Sequence, residues 1–261
     1  MNNKIIQSLW IGKSISVLER LSMTSFLANG HEYHLYSYDD LDGVPQGVQI
    51  KDANTVLDKN KIFAYRKTGG LGGFSNWFRY ELLYCQGGYW MDLDMVCLKH
   101  LDLTDPYVFG WEADLSLINA CVLRFPVGDV CLEWLLKMCR DINTWISFER
   151  TRKNLFRIVR RITIGNKRQY LYPGETGPVG LTRAVKYCGL QDKAKPPDFF
   201  YPVPWNSWQS IFDNTYRDGA DFLEESYAIH LENERLRRNG IDKDGEFPND
   251  SLYEQLKRMY L

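Results

Sequence analysis

Two aspartates separated by one residue, Asp92 and Asp94, carry the strongest chemical signal in this 261-residue sequence. Apolar residues flank them on both sides, at positions 89–91 and 95–98. On an extended strand, residues i and i+2 point to the same face, which predicts that both carboxylates reach one cation. Carboxylate oxygens suit Mg²⁺ and Mn²⁺, and two buried acids without a positive partner would be costly. The pair therefore predicts a divalent metal site at the end of a buried strand.

Such a cation is useful with nucleotide-activated substrates, because it takes up the charge that develops on a pyrophosphate leaving group. A D-x-D pair alone is weak evidence, since solvated acidic pairs are common at protein surfaces. Here Gly87 and Gly88 precede the pair and allow close approach of a ligand to the backbone. The apolar flanks and these glycines together favour a site over a solvated surface pair.

Alternating strand and helix patterns surround the pair. A strand at 5–11, a helix at 14–28 ending at Asn29-Gly30 and a strand at 34–38 predict a β–α–β unit with parallel strands. A helix at 75–85, capped by Ser75 or Asn76, leads into a strand at 89–91 that continues through 95–98. Further helices are predicted at 56–65, 130–144 and 181–187, and further strands at 115–125, 199–203 and 227–231.

Residues 75–94, SNWFRYELLYCQGGYWMDLD, resemble the S-D-x-x-R…G-G-x-Y-x-D-x-D core of the DXD-containing sugar transferases. That family includes capsular-polysaccharide and lipopolysaccharide glycosyltransferases, initiating mannosyltransferases and α-1,4-galactosyltransferases. Weaker similarity covers QSLWIG, INACVLRFP, ETGPVGL and AIHL. The resemblance implies a GT-A-like α/β fold: one Rossmann-type domain over residues 1–261, with a mostly parallel central sheet flanked by helices. It also implies a nucleotide-sugar donor, a divalent cation (Mn²⁺ or Mg²⁺) and retention of anomeric configuration.

The resemblance also implies roles for single residues. Asp92, Asp94 and Arg79 form the catalytic set, in which the aspartates bind metal and pyrophosphate and Arg79 lies beside the donor sugar and phosphate. His230 is the third metal ligand, with a purely structural strand histidine as the alternative. The remaining implied donor-binding residues are Trp10, Asn76, Tyr89, Asn119, Thr176, Gly177 and Pro178. Two positions depart from the family pattern, with Asn76 in place of Asp and Glu232 in place of Trp.

Two segments lie outside this core. Residues 145–168 form a basic helical insertion, in which 149–168 hold eight Lys or Arg and one Glu, with apolar residues between them. This stretch favours peripheral contact with an anionic membrane. The alternative is a surface helix that turns its apolar face to the core and its basic face to solvent. The charged C-terminal segment, 228–261, is expected to close over the donor.

Composition bears on the expected partners and on the cellular location. A net charge of −1 gives no global field for nucleic acid, and no nucleic-acid partner is expected. There is no apolar run of spanning length, no signal-like N-terminus and no CxxC pair among six cysteines. We expect a cytoplasmic protein, at most peripheral to the inner face of the membrane.

The predicted function is metal-dependent, retaining transfer of a hexosyl group from a nucleotide sugar, with UDP favoured. The acceptor is a saccharide or lipid-linked saccharide of a bacterial surface glycan, such as lipopolysaccharide or capsule. Alternatives are a host-directed protein glycosyltransferase of the same fold and a different metal-dependent, nucleotide-using transferase. A non-catalytic sugar- or membrane-binding module is a further alternative.

Overall fold

The chain begins with the predicted β–α–β unit. In the computed structural model, which describes residues 4–261, β1 spans Ile6–Trp10, α1 spans Val17–Ala28 and β2 spans Tyr33–Ser37. β1 and β2 pair in parallel along their full lengths. α1 ends at Ala28 with Asn29 as its cap, and Gly30 then adopts φ 79°, a left-handed conformation that only glycine takes up without strain.

The central sheet contains five strands in the order β3-β2-β1-β4-β6. Its other members are β3 (Gln49–Asp52), β4 (Tyr89–Met91) and β6 (Val122–Leu123). Four strands run in parallel, and β6 is antiparallel to β4. The chain moves outward from β1 to β3 and then crosses to the other side of β1 at β4. In open α/β sheets, ligands bind beyond the carboxyl ends of the strands at such a reversal. Trp10 and Asp92 both lie at that edge.

Helices cover both faces of this sheet, which confirms the predicted α/β class. α1 packs on one face, and α2 (Gly72–Gln86), α3 (Val130–Arg140) and α5 (Pro178–Tyr187) pack on the other. The other helices are α4 (Thr151–Thr163), α6 (Asn233–Arg238) and α7 (Leu252–Tyr260). A separate antiparallel pair is made by β5 (Met95–Cys97) and β7 (Ala228–His230). No helix within residues 4–261 is long and apolar enough to cross a bilayer.

Alternation along β4 divides the core between the two faces. Trp90 packs with apolar residues of α2, α3 and α5, whereas Tyr89 and Met91 pack with residues of β1, β2 and α1 on the opposite face. A third cluster joins α1, α7, β5 and β7, and it ties the C-terminal residues to the body of the protein. Because Asp92 follows Trp90 by two residues, its side chain lies on the α2 side.

Several predicted elements were wrong, each for a local reason. The helix at 56–65 is replaced by short 3₁₀ turns at Ala53–Thr55 and Lys59–Lys61, because Asp52 and Asp58 accept backbone N–H bonds two residues ahead. The strand at 115–125 shrinks to β6, since the chain turns at Leu115 (φ 57°) and Trp111 bridges back to Ile118. The strand at 199–203 is absent, because Pro196 and Pro197 start a 3₁₀ turn at Pro197–Phe199.

The start of α2 also differs from the prediction. The helix begins at Gly72, and neither Ser75 nor Asn76 caps it. A Cβ atom at Gly73 would lie 3.0 Å from the rings of Phe63 and Tyr65. Glycine at position 73 therefore lets these two rings pack directly on the first helical turn.

Candidate active site

The segment Asp92–Asp94 forms a tight turn between β4 and β5. The backbone N–H of Met95 donates to the carbonyl of Asp92 at 3.1 Å, which closes the turn. β5 then pairs with β7 in the second sheet, so the strand does not continue through the motif. The prediction that both carboxylates share one face of an extended strand was wrong, because the chain reverses between them.

Asp92 is paired with a fixed arginine. Its Oδ1 atom lies 3.0 Å from Nη2 of Arg79 and accepts a hydrogen bond from the indole N–H of Trp90 at 2.8 Å. The buried Arg79 guanidinium also stacks 4.8 Å from the Trp90 ring centre and donates to Ser75 Oγ and the Ala120 carbonyl. Helix α2 and strand β4 thus hold a cation and an anion together at the sheet edge, and Asp92 remains partly exposed there.

Asp94 is paired with a histidine instead. His230 Nε2 lies 3.1 Å from Asp94 Oδ2, and the backbone N–H of Asn233 donates to the same oxygen at 3.1 Å. The β5–β7 register places Met95 opposite His230, so the second sheet fixes this contact. Burial alone would raise the pKa of Asp94, but the His230 imidazole and the Asn233 N–H outweigh it and lower that pKa.

His230 lies between two carboxylates. Its Nδ1 is 3.0 Å from Glu232 Oε1, in an ion-pair contact that is not aligned as a hydrogen bond. Burial disfavours the charged ring, yet Cys121, Asp94 and Glu232 together raise the pKa of His230 well above its ordinary value. Glu232 holds φ 54°, a conformation uncommon for a residue other than glycine, and such outliers concentrate at functional sites.

A third potential metal ligand, Cys121, was not predicted. Its Sγ lies 3.5 Å from His230 Nε2, and the ligand atoms of Asp94, Cys121 and His230 lie within 4.8 Å of one another. Burial raises the pKa of this thiol. The sequence signal for it was proximity, because Cys121 stands two residues after the predicted site residue Asn119.

These side chains fit a divalent cation. Asp94 supplies a hard oxygen and His230 a borderline nitrogen, which together suit Mn²⁺. Glu232 stands behind the imidazole on its Nδ1 side, as carboxylates do behind metal-bound histidines, where they orient the ring toward the ion.

Asn119 and Glu112 extend this cluster. The Asn119 side chain accepts from the Cys121 N–H at 2.8 Å and donates to Glu112 Oε1 at 2.9 Å. Burial, followed by the nearby charge of Glu232, raises the pKa of Glu112. The predicted residue Asn119 is therefore joined through its partners to the surroundings of His230.

The segment Thr176-Gly177-Pro178 packs against α2. Tyr80 donates its hydroxyl to the Thr176 carbonyl at 2.8 Å, and a Cβ at Gly177 would lie 2.9 Å from Asn76 Nδ2. Asn76 and Arg79 are three residues apart on α2 and therefore neighbours on its surface. Thr176 Oγ1 is buried without a hydrogen-bond partner among residues 4–261. The loop and the helix face that the sequence predicted for the donor site are therefore in contact.

Of the two predicted aromatic donor-binding residues, Trp10 is partly buried and Tyr89 is fully buried. Trp10 donates its indole N–H to the Ser14 carbonyl and lies under Lys243 Nζ at 5.3 Å. The Arg124 guanidinium covers the Tyr89 ring at 4.8 Å. The structure therefore does not bring Tyr89 to the site surface, because it faces the core shared with β1 and β2.

Two segments of this chain match models of known protein families. Residues 19–109 match the model described as glycosyltransferase sugar-binding region containing DXD motif. Residues 172–260 match the alpha 1,4-glycosyltransferase conserved region. The first match contains Arg79, Asp92 and Asp94, and the second contains Thr176 and His230. Both matches are to sugar transferase families, which confirms the resemblance predicted from the sequence.

Two curated relatives show what this family includes. Lactosylceramide 4-alpha-galactosyltransferase of Mus musculus is 25% identical over 194 residues, covering 70% of this chain and 45% of that protein. The same enzyme of Rattus norvegicus is 26% identical over 177 residues, covering 63% and 41%. This chain therefore spans less than half the length of these relatives. Among solved structures, PaToxG glycosyltransferase aligns over 99% of this chain and 85% of its own, with 14% identity and a TM-score of 0.46.

Proposed function

We propose that this chain is a metal-dependent, retaining glycosyltransferase that moves a hexosyl group from a UDP-sugar to a saccharide acceptor. The observation that carries the proposal is the contact of Asp94 with His230 beside the pair of Arg79 with Asp92. The first contact offers ligands for a cation, and the second offers a fixed positive charge for phosphate. A nucleotide-sugar pyrophosphate needs both within one site.

Asp94 and His230 would hold Mn²⁺ or Mg²⁺, with Asp92 reaching it through its partly exposed carboxylate. A bound divalent cation would supply charge neutralisation to the departing nucleotide diphosphate. Asp92 can accept from Arg79 and Trp90 and still offer lone pairs, because a carboxylate has about four acceptor positions. No side-chain nucleophile is assigned.

The remaining residues would bind and orient the donor. Arg79 is already fixed by Ser75, Ala120 and Trp90, so little reorganisation is needed when phosphate charge develops beside it. Asn76 and Asn119 would offer amide groups to the sugar, with Thr176, Gly177 and Pro178 forming the pocket wall. Trp10 would lie near the base.

The donor sugar is proposed from the names of the relatives. The relatives are named for 4-alpha-galactosyl transfer to lactosylceramide, which makes UDP-galactose the first donor to test. We propose a saccharide or lipid-linked saccharide acceptor in a bacterial surface glycan, such as lipopolysaccharide or capsule. We also propose that residues 1–261 act as one catalytic domain at the inner face of the membrane.

A thermal-shift panel tests this function. UDP-galactose, UDP-glucose, UDP-N-acetylhexosamines and GDP-mannose are each added with and without Mn²⁺, and ATP serves as the competing nucleotide. A donor that binds only the folded chain at a hundredfold excess over its Kd stabilises it by about 2.7 kcal/mol. We expect a Mn²⁺-dependent shift with at least one UDP-sugar. A shift with ATP alone, or with no nucleotide sugar, would contradict the proposal.

A further inference from the structure

Helix α4 turns its apolar side chains away from the protein. Leu155, Ile158, Val159 and Ile162 follow the i, i+3, i+4, i+7 spacing of one helical face. Their exposed fractions are 53%, 42%, 55% and 80%, and the neighbouring Phe156 is 45% exposed. A contiguous apolar stripe of this kind usually marks a contact surface. We refer to these five residues as the α4 stripe.

The opposite face of α4 buries two arginines. Arg160 makes a bidentate pair with Glu175 at 2.9 and 3.0 Å and donates to Asn143 Oδ1 at 2.7 Å. Arg157 lies 3.5 Å from Glu175 and 3.7 Å from Glu149. Rotating α4 to bury its stripe would expose these paired charges or separate them from their partners. The alternative in which the apolar face packs on the core is therefore wrong.

Basic side chains border the α4 stripe. Arg150, Arg152 and Lys153 are exposed at the start of the helix. With Phe156 and Arg183 they contribute to the wall of a cavity of about 520 Å³. Glu149 and Glu175 near this rim are paired with arginines, so the exposed charges of the rim are those of Arg150, Arg152 and Lys153.

We propose that α4 docks this protein on the surface of an anionic lipid bilayer. The α4 stripe would enter the boundary between headgroups and acyl chains, and the basic rim would contact headgroup phosphates. A second copy of the chain fits this face less well, because it would bring the same positive rim against itself. The occupant is therefore an anionic membrane rather than a dimer partner.

This docking would also orient the candidate active site. Glu175, which holds both buried arginines, directly precedes Thr176 and Gly177, and Gly177 packs on Asn76. Helix α4 is thus tied by ion pairs to the loop beside α2. Membrane binding itself does not depend on the proposed transferase function and is measured without nucleotide.

Vesicle flotation at low salt tests the proposal. The intact chain is mixed with vesicles of phosphatidylcholine alone or of phosphatidylcholine with phosphatidylglycerol. We expect flotation with the anionic vesicles and a drop of about tenfold or more in partitioning for Leu155→Gln/Val159→Gln/Ile162→Gln. Arg152→Glu/Lys153→Glu should reduce anionic binding by a similar factor. The matched control, Val130→Gln/Met259→Gln/Leu261→Gln, changes three exposed apolar residues elsewhere and should float as the wild type does.

All of these positions are exposed, so circular dichroism and the thermal midpoint should stay unchanged in each variant. Wild-type protein that stays unbound to anionic vesicles would overturn the proposal. Equal flotation of the stripe variant and the control would overturn it as well. A wild-type dimer that the stripe variant converts to monomer, without vesicle binding, would assign the face to a second copy instead.

Discussion

At the scale of single residues, the two aspartates of the motif have different partners. Asp92 is held by Arg79 and Trp90, whereas Asp94 is held by His230 and the Asn233 backbone. The i, i+2 spacing of the two aspartates alone predicted that both bind one cation. The turn after Asp92 instead creates an anion–cation pair beside a potential metal cluster, and a pyrophosphate-bound metal needs this combination.

Glu232→Gln tests whether the carboxylate behind His230 supports metal binding. Removing the carboxylate charge behind Nδ1 weakens the orientation and basicity of the His230 imidazole. We expect the affinity for Mn²⁺ to fall about 10- to 100-fold, measured by electron paramagnetic resonance titration without nucleotide. Glu234→Gln is the control, since that acid pairs with Arg237 and Arg238. Equal Mn²⁺ affinity in the two variants would contradict the role of Glu232.

His31 predicts an acid-sensitive contribution to stability far from this chemistry. Burial, then the stacked ring of His100, lower the pKa of His31 to about 4 from 6.5. Its Nε2 accepts the Leu101 N–H at 3.0 Å, which requires the unprotonated atom. Between pH 6.5 and about 4 the unfolded chain binds a proton that the folded chain excludes, so stability falls as pH falls. Urea unfolding should show a smaller pH slope for His31→Gln, and an unchanged slope would contradict this assignment.

At the scale of elements, helix α2 positions Arg79 and Asn76, and its first turn depends on glycine. A Cβ at Gly73 meets Phe63 and Tyr65 at 3.0 Å, whereas one at the adjacent Gly72 meets Tyr65 at an ordinary 3.6 Å. The two residues provide a matched pair. A methyl group fits at Gly72 and is too close to the two rings at Gly73.

We expect Gly72→Ala to raise the free energy of unfolding by about 0.5 kcal/mol, because alanine restricts the unfolded chain. Gly73→Ala should lower it by about 1–3 kcal/mol, as overpacked core sites do. Urea denaturation of both variants measures the difference. Equal midpoints would show that the rings do not pack on this turn.

The elements also show what the sequence could predict. Hydrophobic periodicity and the positions of glycine predicted the β–α–β opening, most of α2, its end at Gly87 and the strand that carries His230. The segment 56–65 was not, because Asx turns at Asp52 and Asp58 outweigh its apolar spacing. The contact of Asp94 with His230 spans 136 residues and depends on pairing of β5 with β7. Only the family resemblance suggested it.

At the scale of the whole molecule, the reversal of strand order next to β1 gathers the site from distant parts of the chain. The C-terminal residues complete it, since Asn233 contacts Asp94 and Lys243 contacts both Glu19 and Trp10. We propose that this C-terminal segment, predicted at 228–261, closes over the donor and excludes water.

Hydrogen exchange tests that closure. Backbone amides at 233–246 should exchange more slowly when the nucleotide sugar and Mn²⁺ are both bound, because the segment contacts Asp94 and the Trp10 edge. Amides of β3, at the far edge of the central sheet, serve as the internal reference and should not change. Unaltered or faster exchange at 233–246 would contradict closure.

The most direct test of the central claim is UDP release from UDP-galactose by the wild type and by Asp94→Asn, with Mn²⁺ or with EDTA. Wild-type release should require Mn²⁺, and Asp94→Asn should lower the rate about a hundredfold or more while the thermal midpoint shows a folded protein. Asp114→Asn, at an exposed acid, is the control and should match the wild type. Release that persists in EDTA, or at the wild-type rate in Asp94→Asn, would contradict a metal-dependent transferase built on Asp94 and His230.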